Sequence, residues 1–403
     1  MPDEVIRLAC PERRPRPAGL DDWETIMTRK PPFRAEHVGS LLRPRSLYDA
    51  RAAFDGDLRR TVRAGEGRSS ATLRPIEDAA ILEAVALQER VGLESITDGE
   101  YRRRSWYQDF VLGLENTAVR FEIGPLSFAD DHGNRAPTPR ICVEGKLRRG
   151  GPIMVDAYAF LRKATKRTPK VTMPAPSELH FFGGRDVIDH SAYPDLDEFW
   201  SDLVAIYREE IADLAAAGCT YFQFDNCSFP LLCDPKFQTA FHGAGEEPRR
   251  LIDRYIGAIN AVLAARPAGC TFAIHLCRGN NRGQWLGTGG YDYMADMVFE
   301  RVDVDAFFLE YDTPRAGDFG PLRHVPSSTD VVLGLVSSKT PELESAESLK
   351  RRLSDAEKYI SLDHVCLSPQ CGFGSNFLGN PLTIADEEAK LRRVVEVAES
   401  IWS

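Results

Sequence analysis

Short apolar runs alternate with longer helical patterns along most of this chain, and that alternation constrains the fold more than any other feature. The runs lie at 33–41, 94–100, 170–174, 221–226, 271–277, 306–312, 331–337 and 364–371. Most are continuously apolar, as parallel strands covered by helices should be. The clearest helical pattern spans 195–217. There Phe199, Trp200, Leu203, Val204, Tyr207, Ile211 and Leu214 recur three or four apart and form one stripe. Asp195 can cap its start, with Glu198 three residues on, and Gly218 ends it. Similar patterns cover 73–91, 249–265, 291–301, 345–360 and 384–402. Eight strands alternating with helices predict an α/β chain folded as a (β/α)8 TIM barrel. Residues 101–169 exceed what a minimal barrel needs, with turn signals at 130–134 and 148–151. They predict an inserted lobe or hairpin over the barrel mouth, at about 104–169, within one barrel domain spanning 32–403 after an N-terminal tail at 1–31. An open doubly wound sheet is the alternative, but no GxGxxG follows the first run, so a dinucleotide-binding version has no support.

Composition narrows the class. With 43% hydrophobic residues, 21 Phe and 5 Trp in 403 residues, the chain can bury a large core, which excludes wholesale disorder. Fifty basic against 60 acidic residues give a net charge of -10, which argues against a nucleic-acid binder. Residues 1–30 mix acids with arginines and lack an apolar stretch, so no targeting peptide is expected there. No apolar run approaches the ~18 residues of a membrane span. Nine cysteines, an odd number, do not form a disulfide framework and fit a reducing, cytoplasmic setting. A homo-oligomer stays open.

The chemistry gathers at three strand ends. Residues i and i+2 of a strand share a side, so His275 and Cys277 project together. Cys371 ends the eighth run, and Glu310 lies in the sixth. In a barrel these ends converge where active sites sit. One imidazole, two thiolates and one carboxylate form a tetrahedral Zn2+ site. With two thiolates and a carboxylate the ion would carry a net charge of about -1, a poor activator of water. Such a site suits binding an incoming thiol as thiolate and leaving it nucleophilic, which implies alkyl transfer to sulfur. A structural zinc barrel, without catalysis, is the opposing reading. Cys366 lies earlier in the same run and reads as core, as do Cys142, Cys219 and Cys270. Cys227 and Cys233 follow the fourth run and are candidates to face the mouth, though without ligand spacing, and Cys10 is in the tail.

The segments FRAEHVGSLLRP (33–44), ITDGEYRR (96–103), YFQFDN (221–226), IHLCRGN (274–280), FFLEYDTPRAGDF (307–319), LVSSKTPELE (335–344) and LSPQCGFGSN (367–376) resemble the catalytic domain of cobalamin-independent methionine synthase, above all its short single-barrel bacterial relatives. The resemblance covers about residue 32 to the C-terminus. It implies a TIM barrel with a catalytic zinc on His275, Cys277, Glu310 and Cys371. It implies a thiol substrate, typically homocysteine, that takes a methyl group from a folate such as methyltetrahydrofolate. It further implies that Glu100 and Asp225 hold the substrate amine, which orients the sulfur, and that Ser40 lies near the substrate carboxylate. Asp225, or a bound water, is the candidate acid for the leaving nitrogen of a folate donor. Arg278, beside Cys277, is a second candidate for that carboxylate.

The chain departs from the family pattern in places. Asn226 stands where the family has a second acid, Ser337–Ser338–Lys339 stand where it has a histidine, and residues 173–177 lack a tryptophan. These departures bear on the methyl donor, for which a corrinoid, a small methylated metabolite or an epoxide is the alternative to a folate. The stretch 180–185 is either a donor-side wall or an ordinary turn. Trp106, Tyr107 and Phe110 are either an aromatic wall or core. Arg102–Arg103–Arg104 read as a solvated helix face that also offers an arginine to a substrate carboxylate.

Overall fold

The computed structural model describes residues 30–55, 61–65, 71–129 and 135–402. Cys10, most of the expected tail and the turn signal at 130–134 lie outside the described residues. The strands in chain order are β1 (Val62–Arg63), β2 (Ser95–Ile96), β3 (Leu114–Ala129), β4 (Arg135–Arg149), β5 (Thr168–Pro174), β6 (Tyr221–Asn226), β7 (Thr271–Leu276), β8 (Ala306–Glu310), β9 (Asp330–Val336) and β10 (Val365–Pro369). Seven of them form a curled parallel sheet in the order β10-β9-β8-β7-β6-β5-β2.

The first predicted run closes the ring, but not as a regular strand. Ala35 makes one parallel bridge to Leu367. Glu36 N–H donates to Leu367 O at 2.8 Å, and Leu367 N–H to Arg34 O at 2.9 Å. Toward β2 the contacts pass through side chains: His37 Nε2 lies 3.2 Å from Ser95 O, and Thr97 Oγ1 donates to Gly39 O at 2.6 Å. Of the second predicted run, only Ser95–Ile96 pairs as strand. The result is a (β/α)8 TIM barrel whose first two strands are mostly side-chain-stitched.

Period two decides which side chains enter the barrel. Val38, Tyr221, Ala273, Ala306, Phe308, Val332 and Cys366 pack as one inner cluster. Their neighbours Phe222, Phe272, Phe307, Val331 and Val365 belong to the large outer core shared with the helices. The same phase runs on along each strand, from Tyr221 to Gln223 and Asp225, from Ala273 to His275 and Cys277, and from Ala306 to Phe308 and Glu310. The inner wall thus carries an apolar layer, with chemically active residues above it at the mouth.

The expected helix at 195–217 forms over Leu196–Ala216. The Asp195 side chain accepts from the N–H groups of Asp197 and Glu198, an N-cap. Phe199, Leu203, Tyr207, Ile211 and Leu214 are buried on its inner stripe, each worth about 1.5–3 kcal/mol by area. Gly218 ends it at φ 96°, a left-handed position suited to glycine.

The inserted lobe is a long antiparallel hairpin of β3 and β4, with β1 on its outer edge. Its Val119, Ile141 and Val143 join the main core, and its Phe121 and Phe128 reach the barrel mouth. Among the described residues no helix is long and apolar enough to cross a membrane.

Candidate metal centre and substrate cavity

Three strand ends place four donors together. His275 sits in β7, Cys277 directly after it, Glu310 ends β8, and Cys371 follows β10. All four are buried, and their ligand atoms lie within 4.8 Å of one another. The Cys277 and Cys371 sulfurs are 3.5 Å apart. Two sulfurs at ~2.3 Å from one tetrahedral zinc would stand ~3.8 Å apart, so little movement is required.

The polar atoms of this cluster lack conventional partners. Neither ring nitrogen of His275 and neither carboxylate oxygen of Glu310 has a hydrogen bond, though all four atoms are buried. Buried polar atoms normally have partners, and four orphans in one cluster mark a missing ligand. Arg278 Nη1 approaches Glu310 Oε2 only to 3.8 Å. Crowding keeps the thiols protonated in the absence of a cation. Cys277 is pushed well up chiefly by its contact with Cys227, and Cys371 chiefly by Cys277. A divalent cation reverses that preference, because thiolate is the form that ligates. Geometry, orphaned atoms and donor chemistry therefore fit a zinc ion.

Neighbours hold the donors in place. Gly279 N–H donates to Cys277 Sγ at 3.3 Å, a bond that favours thiolate. Glu310 N–H donates to the Tyr291 hydroxyl at 2.9 Å, and Arg278 Nη1 donates to the same hydroxyl. Gly372, beside Cys371, lies so close to Ser40 that a Cβ there would sit 1.9 Å from the Ser40 Oγ. Only glycine allows that approach.

The cluster opens on a cavity of about 390 Å3 that is also lined by Ser40, Glu100 and Asp225. Glu100 adopts φ 62°, a left-handed conformation uncommon outside glycine and costly enough to suggest function. Asp98 Oδ1 accepts its N–H at 2.9 Å and supports the turn. Glu100 Oε1 accepts from Thr172 Oγ1 at 2.7 Å and lies 3.4 Å from Arg103, while Oε2 has no partner. Asp225 Oδ1 accepts from Gln223 Nε2 at 2.7 Å. Burial pushes both acids above the ordinary carboxylate range, and for Asp225 the Glu100 charge adds to it.

Several expectations need correction. Arg278 does not line the cavity. Its Nε and Nη1 are engaged by Gly289 O, Tyr291 and Glu310 O, and its buried Nη2 has no hydrogen-bond partner. Arg102–Arg104 are not a solvated helix face. Arg102 and Arg104 are buried, Arg102 pairs with Asp78, and Arg103 serves Glu100 and Thr172. His180 is a core histidine whose Nδ1 is 2.9 Å from the Tyr255 hydroxyl, whereas Phe182 two residues on lines the cavity. Trp106 and Tyr107 line it too, and Phe110 packs on Tyr207 instead. Cys366 is buried among the inner apolar residues. Cys227, which sequence spacing did not single out, lines the cavity and hydrogen-bonds Cys277. Its one signal was position, directly after a strand end.

Comparison with known proteins agrees with this geometry. YxjH of Bacillus subtilis (strain 168), an uncharacterized protein, is 39% identical over 381 residues, covering 94% of this chain and 97% of its own. The methionine synthase of Pyrococcus abyssi is 22% identical over 328 residues, 81% of each chain. The crystal structure of a Listeria monocytogenes protein assigned to the vitamin-B12 independent methionine synthases matches with a TM-score of 0.71 at 30% identity, covering 93% of this chain and 100% of that one. Residues 55–400 match the family described as cobalamin-independent synthase, catalytic domain. With that match spanning most of a barrel of this geometry, the chain belongs to the cobalamin-independent methionine synthase family and carries its catalytic domain.

Proposed function

We propose that the chain is a zinc-dependent S-methyltransferase acting on a thiol amino acid, homocysteine being the substrate that the cavity suits best. One observation carries this reading. Four buried metal-type donors lie together, His275 and Glu310 among them without hydrogen-bond partners, and His275, Cys277 and Cys371 line the same cavity as two buried acids and a serine. A zinc ion on His275, Cys277, Glu310 and Cys371 would supply the Lewis acidity that turns a bound thiol into a thiolate at neutral pH.

The remaining roles fall to the chain itself. Glu100 and Asp225 would hold the substrate ammonium, with Glu100 Oε2 free to accept it. Ser40 borders the same space and would receive the substrate carboxylate. Fixing the amino acid at both groups aims its sulfur at the metal donors and removes most of its freedom before reaction. The aromatic residues over the mouth keep water from the sulfur. A small-molecule thiol and a methyl donor are the partners this requires. The folate-type donor implied by the family resemblance competes with a smaller methylated donor. Asn226 and the tryptophan-free 173–177 segment favour the second.

The test combines metal analysis with transfer of a labelled methyl group. Purified protein should hold about one zinc per chain, and homocysteine should become methionine when a suitable donor is present. Full activity in Cys277→Ser would sink the metal assignment. A metal-replete protein that never methylates a thiol would leave only the structural zinc barrel.

A further inference from the structure

One side of the cavity is not used by the metal donors or the two acids. Trp106, Tyr107 and Phe182 form a trio with ring centroids 5.1, 6.3 and 6.2 Å apart. Phe121 and Phe128, from the inserted hairpin, complete the wall. Trp106, Phe121, Phe128 and Phe182 are only half-buried, so part of each is open to a ligand.

The polar atoms facing this wall are short of donors. Asn280 donates Nδ2 to Gly372 O at 3.0 Å, which fixes the orientation of its amide. Its buried Oδ1 then has no partner. The nearby cations are engaged: Arg103 by Glu100 and Thr172, and Arg104 with a partner of its own. Aromatic rings beside an unpartnered acceptor oxygen favour a cation. A wall of rings suits a cation whose charge is covered by methyl groups, because such an ion needs no hydrogen-bond acceptor at each position.

We propose that the methyl donor is a methylated onium compound, a sulfonium or quaternary ammonium ion, seated against the wall of Trp106, Tyr107, Phe121, Phe128 and Phe182. This rests on the thiol-methyltransferase reading and names its donor class. The step balances without an added acid. The substrate thiolate attacks the methyl carbon, an S–C bond forms, and the bond from that carbon to the positive sulfur or nitrogen breaks. The electron pair stays on the departing atom, which leaves as a neutral thioether or amine. A methyl on a neutral tertiary amine would instead need a proton on the leaving nitrogen. Apart from Glu100 and Asp225, the mouth offers little for that purpose. The Asn226 amide is held by Ser177, Glu178 and Ser228, and Lys339 Nζ is held by Gly279 O. The two acids at the cavity are assigned to the substrate ammonium.

The experiment has a binding arm and a transfer arm, both on the zinc-loaded protein. Choline and its neutral carbon isostere, 3,3-dimethyl-1-butanol, are titrated by calorimetry and tryptophan fluorescence. Choline should bind about tenfold tighter, the size of a partly desolvated cation–π contact. Trp106→Leu and Phe182→Leu should erase the preference while zinc content stays at the parent value. Equal binding of the two probes by the parent protein overturns the proposal. In the transfer arm, trideuteromethyl-labelled S-methylmethionine, glycine betaine and methyltetrahydrofolate are each offered with homocysteine. Label arriving from an onium and not from the folate supports the proposal. Label from the folate alone overturns it and leaves the thiol-methyltransferase reading standing. Label from none overturns it as well. In that case a zinc absorption edge unmoved by homocysteine takes the broader reading down too, and an edge that shifts preserves it.

Discussion

The inside of the barrel carries two buried polar clusters, one at the floor and one at the mouth, and they are built on opposite rules. At the floor, Glu36 Oε1 accepts from Phe33 N–H at 3.1 Å and from the Tyr221 hydroxyl at 3.0 Å. Its Oε2 accepts from Ser95 Oγ at 2.6 Å and from Lys170 Nζ at 3.2 Å. Lys170 also donates to His37 O and lies over the Phe308 ring. At the mouth, His275 and Glu310 have no conventional hydrogen bond from their side chains. The strands are shared: Tyr221 and Asp225 sit four residues apart in β6. A polar cluster that serves the fold closes on itself, whereas one that serves a ligand is left open. Burial alone does not separate the two. Partner counting does.

The sharpest way to break this comparison is to remove one donor from each cluster. Cys277→Ser should weaken zinc binding by at least about a hundredfold and abolish methyl transfer, while the metal-free protein unfolds near the parent midpoint. Metal titration with parallel denaturant melts would show both. A variant that held zinc like the parent would reclassify the mouth as another closed cluster. Lys170→Met should do the reverse. It strands Glu36 as an unpaired buried charge, a loss of about 3–5 kcal/mol, with zinc stoichiometry unchanged in the folded fraction. Lys170→Met combined with Glu36→Gln should recover part of that loss, since the charge left behind is what costs most.

The mouth was more legible in the sequence than the floor, for physical reasons. Period two in β6, β7 and β8 brings Asp225, Cys277 and Glu310 to one surface, so residue spacing suffices once a barrel is assumed. The floor depends on the 33–41 segment, whose link to β2 runs through the side chains of His37 and Thr97. No strand pattern encodes such a link. The insertion was visible as surplus length with a lobe or hairpin expected, but the extent of its two strands, 16 and 15 residues, was not. Pro125, Pro137 and Pro139 and many charges obscure its alternation. For the same reason Phe121 and Phe128 could not be assigned to the cavity, because their place depends on how the hairpin folds back over the mouth. Cys227 was expected near the mouth, but its contact with Cys277 crosses between β6 and β7, a pairing that residue spacing does not reveal.

The open cluster also predicts discrimination between substrates. Glu100→Gln keeps an acceptor for Thr172 Oγ1 but removes the charge offered to a substrate ammonium. A hydrogen bond to a charged group is worth about 1.5–3 kcal/mol, so KM for homocysteine should rise about ten- to a hundredfold. KM for a thiol without an amine should stay close to the parent value. Equal effects on both thiols would mean that Glu100 supports the fold of the loop rather than the substrate, and would move it to the closed class.

A third buried acid, Glu387, lies between the two extremes and gives the smallest effect. It sits in the helix Ile384–Trp402, and its Oε2 accepts the Leu42 N–H at 2.7 Å. Burial pushes its pKa from an ordinary 4.5 up to about 8, only partly opposed by that hydrogen bond. The folded state therefore holds a proton that the unfolded chain releases above pH 4.5. The favourable contribution is complete below that pH and is lost as pH rises through 8. From pH 5 to 8 the parent should lose about 1–3 kcal/mol from this group. Glu387→Gln keeps an oxygen for Leu42 and cannot ionise, so its stability should vary less over that window. Denaturant melts at pH 5, 6.5 and 8 measure the difference. An unchanged slope would show that Glu387 is already neutralised by partners in the folded state, as Glu36 is at the floor, and would place it among the closed clusters.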